Sequence, residues 1–272
     1  MDKLVPDVND AVADITDGAS LAVGGFGLCG IPSALIQAVL DNGARDLRVA
    51  SNNCGVDDFG LGILLGAHRI SRMTSSYVGD NKEFERQFLS GELEVELTPQ
   101  GTLAERLRAG GVGLAAFFTP TGVGTQVSDG GLPWRYAPDG SVAVASPPKE
   151  VREFNGRQYV LEEAITADFA LVRASRADRL GNCVFDLTTQ NFNPLCAMAG
   201  RTTIVEAEEI VEVGAIPPAQ IHLAGIFVQR VVALTPEQIA LKRLERRMVR
   251  PRPAVDVGAV PTSAAGADGT TE

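Results

Sequence analysis

The sequence predicts an α/β fold: an open, mostly parallel sheet flanked by helices, in a single domain over residues 1–247 with a flexible tail over 248–272. Three observations predict it. Short apolar runs alternate with stretches of helical period, the pattern of strands joined by crossover helices. Loops rich in glycine or amides follow several of those runs, where strand gives way to helix. With 45% hydrophobic and 21% charged residues among 272, the chain can bury a full core.

The elements follow in order. Val5, Val8, Val12 and Ile15 recur at three- and four-residue steps, an amphipathic helix stopped by Asp17-Gly18. Leu21–Val23 reads as a buried strand, and the loop GGFGLCGI leads to Pro32 at a first helical position. Leu35/Val39 and Ile36/Leu40 face one side of that helix, and Asn42-Gly43 ends it. Leu47–Ala50 is a strand ending in SNNCG; AHRIS around His68 reads as helical; Glu94–Leu97 is a strand ending in TPQG. Thr102 and Glu105 have the spacing of a capping box, Leu103 and Leu107 give an apolar face, and Gly110-Gly111 closes the helix. An apolar run over Val112–Phe118 and the loop TPTGVGT come next, then strands at Val142–Ala145, Phe169–Ala174 and Thr203–Glu206. Thr235-Pro236 with Gln238 opens a last helix. From Pro251 onward, Pro, Ala, Gly and Ser/Thr dominate without a large aromatic, too little apolar surface to order a segment.

Charge and composition exclude several functions. Thirty-four acidic against 24 basic residues give a formal charge of -10, which opposes binding to nucleic acid or to an anionic membrane. MDKLVPDVND has no basic region followed by an apolar core, and no apolar run nears the ~20 residues that span a bilayer, so a soluble cytoplasmic protein is expected. Cys29, Cys54, Cys183 and Cys196 lack C-x-x-C spacing and read as reduced thiols, not a disulfide framework or zinc site.

GFGLCG matches G-x-G-x-x-G literally, which raises a dinucleotide-binding reading. In such a site the second strand ends in an acid that grips the ribose hydroxyls. Here it ends Ala50-Ser51-Asn52, with Asp46 before it and Asp57 beyond the next loop, so the context fails. Gly24, Gly25, Gly27 and Gly30, with Phe26 between them, read instead as backbone that can approach a ligand or a neighbouring subunit closely, or as a tight turn.

Other chemistries are poorly supplied. P-loop, nucleophile-elbow and H-E-x-x-H patterns are absent, no metal ligands cluster, and the two histidines, His68 and His222, read as structural. Glu92, Glu94 and Glu96 alternate as on the solvated face of a strand. Asn52, Asn53 and Gln100 follow apolar strands, at the carboxyl ends where α/β sheets bind ligands, and read as buried amides suited to an oxyanion or carboxylate.

Read as a longer unit, DGASLAVGGFGLCGIP, from Asp17 to Pro32, resembles the signature of family I coenzyme A transferases. SNNCGVDDFGLG, the GELEVELTPQGTLAERLRAGG region, FFTPTGVGT, SPPKEVREFNG and YVLEEAITADFALV extend the resemblance over residues 3–250, on the pattern of A-type subunits that act on 3-oxoacids. The resemblance implies that family's subunit fold and transfer of CoA from an acyl-CoA such as succinyl-CoA to a free carboxylate such as acetoacetate. It implies a ping-pong route through a glutamyl-CoA thioester, CoA being a substrate and no cofactor being permanently bound. The family's nucleophilic glutamate lies on a B-type subunit, in a Ser-Glu-Asn-Gly motif that this sequence lacks. The implied assembly is therefore a heterotetramer with that B-type partner, inactive as the lone chain. By the same resemblance, Asn52, Asn53 and Gln100 position substrate and oxyanion, and Gly24, Gly25, Phe26, Gly27 and Gly30 belong to a CoA-binding segment. VFDLTTQNFNP departs from the family pattern, with Asp186 and Gln190 where basic residues are expected. The alternative is a CoA- or sugar-phosphate-binding regulatory module on the same scaffold, without catalysis.

Overall fold

The computed structural model describes residues 2–79 and 81–243; the tail expected over 248–272 lies outside the described residues. In chain order the first half contains α1 (Val8–Val12), β1 (Ser20–Val23), α2 (Ser33–Asn42), β2 (Leu47–Ala50), α3 (Gly62–Gly66), β3 (Ile70–Ser75), α4 (Lys82–Leu89), β4 (Glu94–Leu97) and α5 (Gln100–Gly111). There follow β5 (Ala116–Thr119), α6 (Gln126–Asp129), β6 (Pro133–Tyr136), β7 (Val142–Ala145), β8 (Val151–Phe154) and β9 (Arg157–Glu163). The chain then returns through β10 (Ala167–Asp178), β11 (Cys183–Val184), α7 (Asn193–Ala199), β12 (Gly200–Val211), β13 (Arg230–Ala233) and α8 (Pro236–Ala240).

The main sheet runs β13-β12-β10-β1-β2-β3-β4, every neighbouring pair parallel, with the short β11 antiparallel to β10. Alternation along the strands sends side chains to two cores. Leu21, Val23, Val49 and Leu171 pack under α1 to α4, whereas Ala22, Ala50, Ala170 and Val172 pack under α5 and α7. Both faces being covered, the central strands read as continuous apolar runs, as expected of a parallel sheet. From β1 the chain steps outward to β2, β3 and β4, and later builds β10, β12 and β13 on the other side. The order therefore reverses at β1/β10, and in sheets of this kind ligands bind beyond the carboxyl ends of the strands at such a point. Among the described residues no helix is long and apolar enough to cross a membrane.

The expected mostly parallel sheet is present, and several local expectations are corrected. Between α5 and β10 the chain forms two small antiparallel sheets, β5-β9-β8 and β6-β7, of which only β7 and part of β5 are foreseen by the sequence pattern. The first helix is short, Val8–Val12, because the Asp7 carboxylate accepts from the Asn9 and Asp10 amides and starts it there. Pro32 precedes α2 as its cap residue, and Gly43, at φ 88°, ends it. His68 is no helix residue: it turns the chain at φ 53° just before β3. The Thr102–Glu105 capping box does not form, since α5 already begins at Gln100 behind Pro99; the Thr102 hydroxyl is buried without a partner, and Glu105 pairs with Arg108. The box at Thr235 and Gln238 does form. Val112 and Leu114 are exposed, so the apolar run before β5 is not core.

Glu92, Glu94 and Glu96 do not share a solvated face. Glu92 precedes β4 and binds Arg86 with two oxygens, at 2.6 and 2.8 Å. Glu96 is buried between Arg72, at 2.8 Å, and Arg106, at 2.6 Å. Burial pushes its carboxyl upward, but the two guanidiniums outweigh that and hold it below the usual range. Arg106 also faces the buried Glu162, which Lys149 meets at 2.6 Å, so a charged seam ties the edge of the parallel sheet to the antiparallel one.

Candidate functional site

Residues 24–32 leave β1 at the strand-order reversal and cross to α2. The Gly24 amide still bonds to the Leu171 carbonyl, at 2.9 Å, so the loop starts only after the sheet ends. Phe26 and Cys29 exchange amide–carbonyl bonds, both 3.0 Å, closing a four-residue bend with Phe26 and Gly27 at its tip. Phe26 is half exposed, and a Cβ on Gly27, at φ 60°, would meet open space. Gly24 and Gly30 serve close packing instead. A Cβ on Gly24 would collide with Asn193 Oδ1, and one on Gly30 would sit 2.9 Å from Asn193 Nδ2. Gly25 is buried against Ile31. The five residues 24–27 and 30 thus divide into an open tip and a packed base.

The base rests on the segment after β11. Asn191 donates to the Cys29 carbonyl at 3.1 Å, and the fully buried Asn193 donates to the carbonyls of Gly30 and Thr189, both at 2.9 Å. Its Oδ1 accepts from the Arg173 amide. The Arg173 guanidinium lies 3.5 Å from Glu206 and 3.1 Å from Glu208. Glu206, fully buried, accepts from the Leu35 amide at 2.9 Å and so caps α2 from across the sheet. Burial raises its carboxyl to about 7, against the opposing pull of Arg173 and the α2 amides.

The amides follow β2 and β4, on the opposite side of β1 from β10. Asn52 is buried and donates to Ser76 Oγ at 2.9 Å, while its carbonyl receives the Ser75 hydroxyl. Asn53 is 7% exposed, and its side chain meets no hydrogen-bond partner among the described residues. Gln100 corrects the expectation of a buried amide: as the first residue of α5 it is exposed. Asn52-Asn53 and Gln100 follow β2 and β4, two strands apart, hence about 10 Å across the sheet end. A cavity of about 660 Å³ opens beside α1, α2, α8 and the Asp58–Gly60 bend, and includes none of the three amides.

No cluster of His, Cys, Asp and Glu suited to a metal ion occurs among the described residues. Cys54, Cys183 and Cys196 are buried, which pushes the Cys54 and Cys183 thiols up to about 12; Cys29 is half exposed at the loop. The Phe185 amide donates to His222 Nδ1, a structural use of that ring. Asp186 accepts from Ser175 Oγ at 3.0 Å, and Gln190 is exposed beside the loop's base.

The model of the family described as Coenzyme A transferase matches residues 5–234, from before α1 to just past β13. The chain belongs to the coenzyme A transferase family. Among relatives of this family, a protein of Mycobacterium tuberculosis, named as the A-type subunit of a probable succinyl-CoA:3-ketoacid coenzyme A transferase, is 62% identical over 250 residues, 92% of this chain and 100% of the relative. The mitochondrial succinyl-CoA:3-ketoacid coenzyme A transferase 2 of Homo sapiens is 55% identical over 257 residues, 94% of this chain and 49% of that longer protein. An acyl-CoA transferase of E. coli, solved as a thioester complex with CoA, shares the fold with a TM-score of 0.74 at 23% identity, over 87% of this chain and 48% of that one. In this coenzyme A transferase the side chains under the loop that sequence reasoning misses are Asn191 and Asn193. Their signal is the amide-rich NFNP, read only as part of a departure from pattern.

Proposed function

We propose that the chain is the A-type subunit of a heteromeric CoA-transferase that moves CoA from succinyl-CoA to acetoacetate or a similar short 3-oxoacid. The observation that carries this reading is the 62% identity over the whole length of a relative bearing that subunit name. The open neutral tip at Phe26-Gly27 and the unpartnered Asn53 amide support it: both offer uncharged groups at the strand ends to an anionic ligand. We read residues up to 247 as one domain, and the assembly as a heterotetramer in the cytoplasm.

In this reading a glutamate of the B-type partner attacks the thioester carbonyl. The carbon–sulfur bond breaks, CoA leaves as thiolate and an acyl-glutamyl anhydride forms. The thiolate attacks the glutamyl carbonyl, releasing succinate and leaving glutamyl-CoA thioester; the oxoacid carboxylate then runs the same steps in reverse. Each attack puts negative charge on a carbonyl oxygen. In this reading Asn52, Asn53 and Gln100 meet it or hold the reacting carboxylates, and one such donor supplies about 3 kcal/mol. Gly24, Gly25, Phe26, Gly27 and Gly30 form the CoA-binding segment.

Purified alone, the chain should show no transfer from succinyl-CoA to acetoacetate, and co-expression with its B-type partner should restore it. Robust transfer by the lone chain would sink the division of labour; CoA binding by a chain that never pairs with such a partner would favour the regulatory module.

A further inference from the structure

We propose that Asn191 and Asn193 are positioning residues that hold the 24–30 loop in its working shape. Two adjacent carbonyls of that loop, Cys29 and Gly30, are each held by one of these amides, at 3.1 and 2.9 Å. Cys29 O also closes the bend to the Phe26 amide, so Asn191 pins the acceptor that sets the tip. Asn193 completes its bonding with the Thr189 carbonyl and the Arg173 amide, which fixes its orientation against β10. Neither glycine it touches, Gly24 or Gly30, leaves room for a methyl group. The Thr188 hydroxyl lies 3.3 Å from Cys29 Sγ, a further contact between the same two segments. The segment that departs from the family pattern thus serves the loop with its last residues.

An isolated glycine-rich bend is entropically free to leave this conformation. Two donors 163 and 162 residues away in sequence remove that freedom, and leave Phe26 and Gly27 facing outward at a fixed height. For a transfer between bound groups, orientation enters the rate directly, and a displacement of about 1 Å costs on the order of 100-fold.

This role rests on the proposed transferase reading, and the test separates the two. Asn193→Asp keeps the acceptor and removes the bonds donated to Gly30 and Thr189; Asn191→Ala, at a half-exposed position, removes the bonds donated to Cys29 and Thr188 and the acceptor for the Phe192 amide, and serves if the first variant folds poorly. Hydrogen exchange on the chain alone should show the Phe26 and Cys29 amides exchanging at least about 10-fold faster in both variants, with β10 and β12 protection unchanged. In the complex with the B-type partner, kcat should fall by about 100-fold for Asn193→Asp and about 10-fold for Asn191→Ala, with KM for the oxoacid within about twofold. Unchanged loop exchange, faster exchange spread equally through β10 and β12, or faster loop exchange with unchanged kcat would each overturn the proposal. If the wild-type complex itself transfers no CoA, the transferase reading fails, and the exchange data still decide whether the two asparagines hold the loop.

Discussion

Gly25–Gly30 after β1 and Gly55–Gly60 after β2 are loops of the same length with the same internal pair of hydrogen bonds. Phe26 and Cys29 bond each other's backbone in the first, Val56 and Phe59 in the second, and left-handed glycines flank both bends. They also lie close, since a Cβ on Gly60 would sit 3.8 Å from the Leu28 side chain. Their side chains differ. The first tip is Phe26-Gly27, without charge; the second carries Asp57 and Asp58, one bonded to the Glu83 amide and the other to Arg243. Shape alone therefore does not make a ligand surface: the acidic bend is committed to holding α4 and the chain near Arg243, and its charge would oppose a polyanionic thioester. The neutral bend has only its base committed.

The helices that follow sharpen the contrast. Behind the first bend, buried Glu206 caps α2; behind the second, α3 has no side-chain cap. A carboxyl raised to about 7 in the folded chain, from about 4.5 unfolded, is protonated in the fold and ionised in the unfolded chain between those values. Its contribution is fully present below the unfolded value and is lost as pH rises through 7. Relative to Glu206→Gln, the wild type should lose up to about 3 kcal/mol between about pH 4.5 and 7.5. Urea titrations of both proteins across that range measure it; parallel pH profiles would place the charge elsewhere.

The amides after β2 and β4 come next in expected effect. Asn52→Ala, Asn53→Ala and Gln100→Ala should each lower turnover of the complex by about 100-fold, with assembly intact by size-exclusion. Of these, Asn52→Ala should also cost about 1 kcal/mol of stability, through loss of its bond to Ser76. Turnover unchanged at all three positions would remove the proposed role of these amides. Smallest is the exchange of character between the bends: Gly27→Asp gives the first tip an acid at a backbone conformation that Asp tolerates. KM for succinyl-CoA should rise about 10-fold at low salt and recover towards the wild-type value as salt increases. An unchanged KM would mean that the tip does not face the thioester.

Much of the parallel sheet is legible in the sequence because burial on both faces writes strands such as Leu21–Val23 and Leu47–Ala50 as largely apolar runs. Sequence reasoning misses β3, whose ISRMTS mixes charge into a strand, and α4, whose polar residues outnumber its two phenylalanines. Much of the antiparallel structure escapes for the same reason: β8 is exposed along its whole length. At the site, Asn52 and the loop can be placed by position after a strand. Asn193 cannot, since its partners, Gly24, Gly30 and Arg173, are distant in sequence and give no local periodicity. Glu206 is legible only as the end of a strand, its carboxyl being explained by a helix amide 171 residues away.

The contact between Gly30 and Asn193 also sets a timetable. The loop leaves the ribosome 163 residues before the side chain that shapes it. At ordinary elongation rates that is an interval of about 10 to 30 s, in which β1 to β4 can form while the loop stays unset. Closure of this long-range contact belongs to a late step of folding. The surface proposed to meet CoA thus takes its shape only when the second half of the chain has docked, so a nascent chain does not present it early.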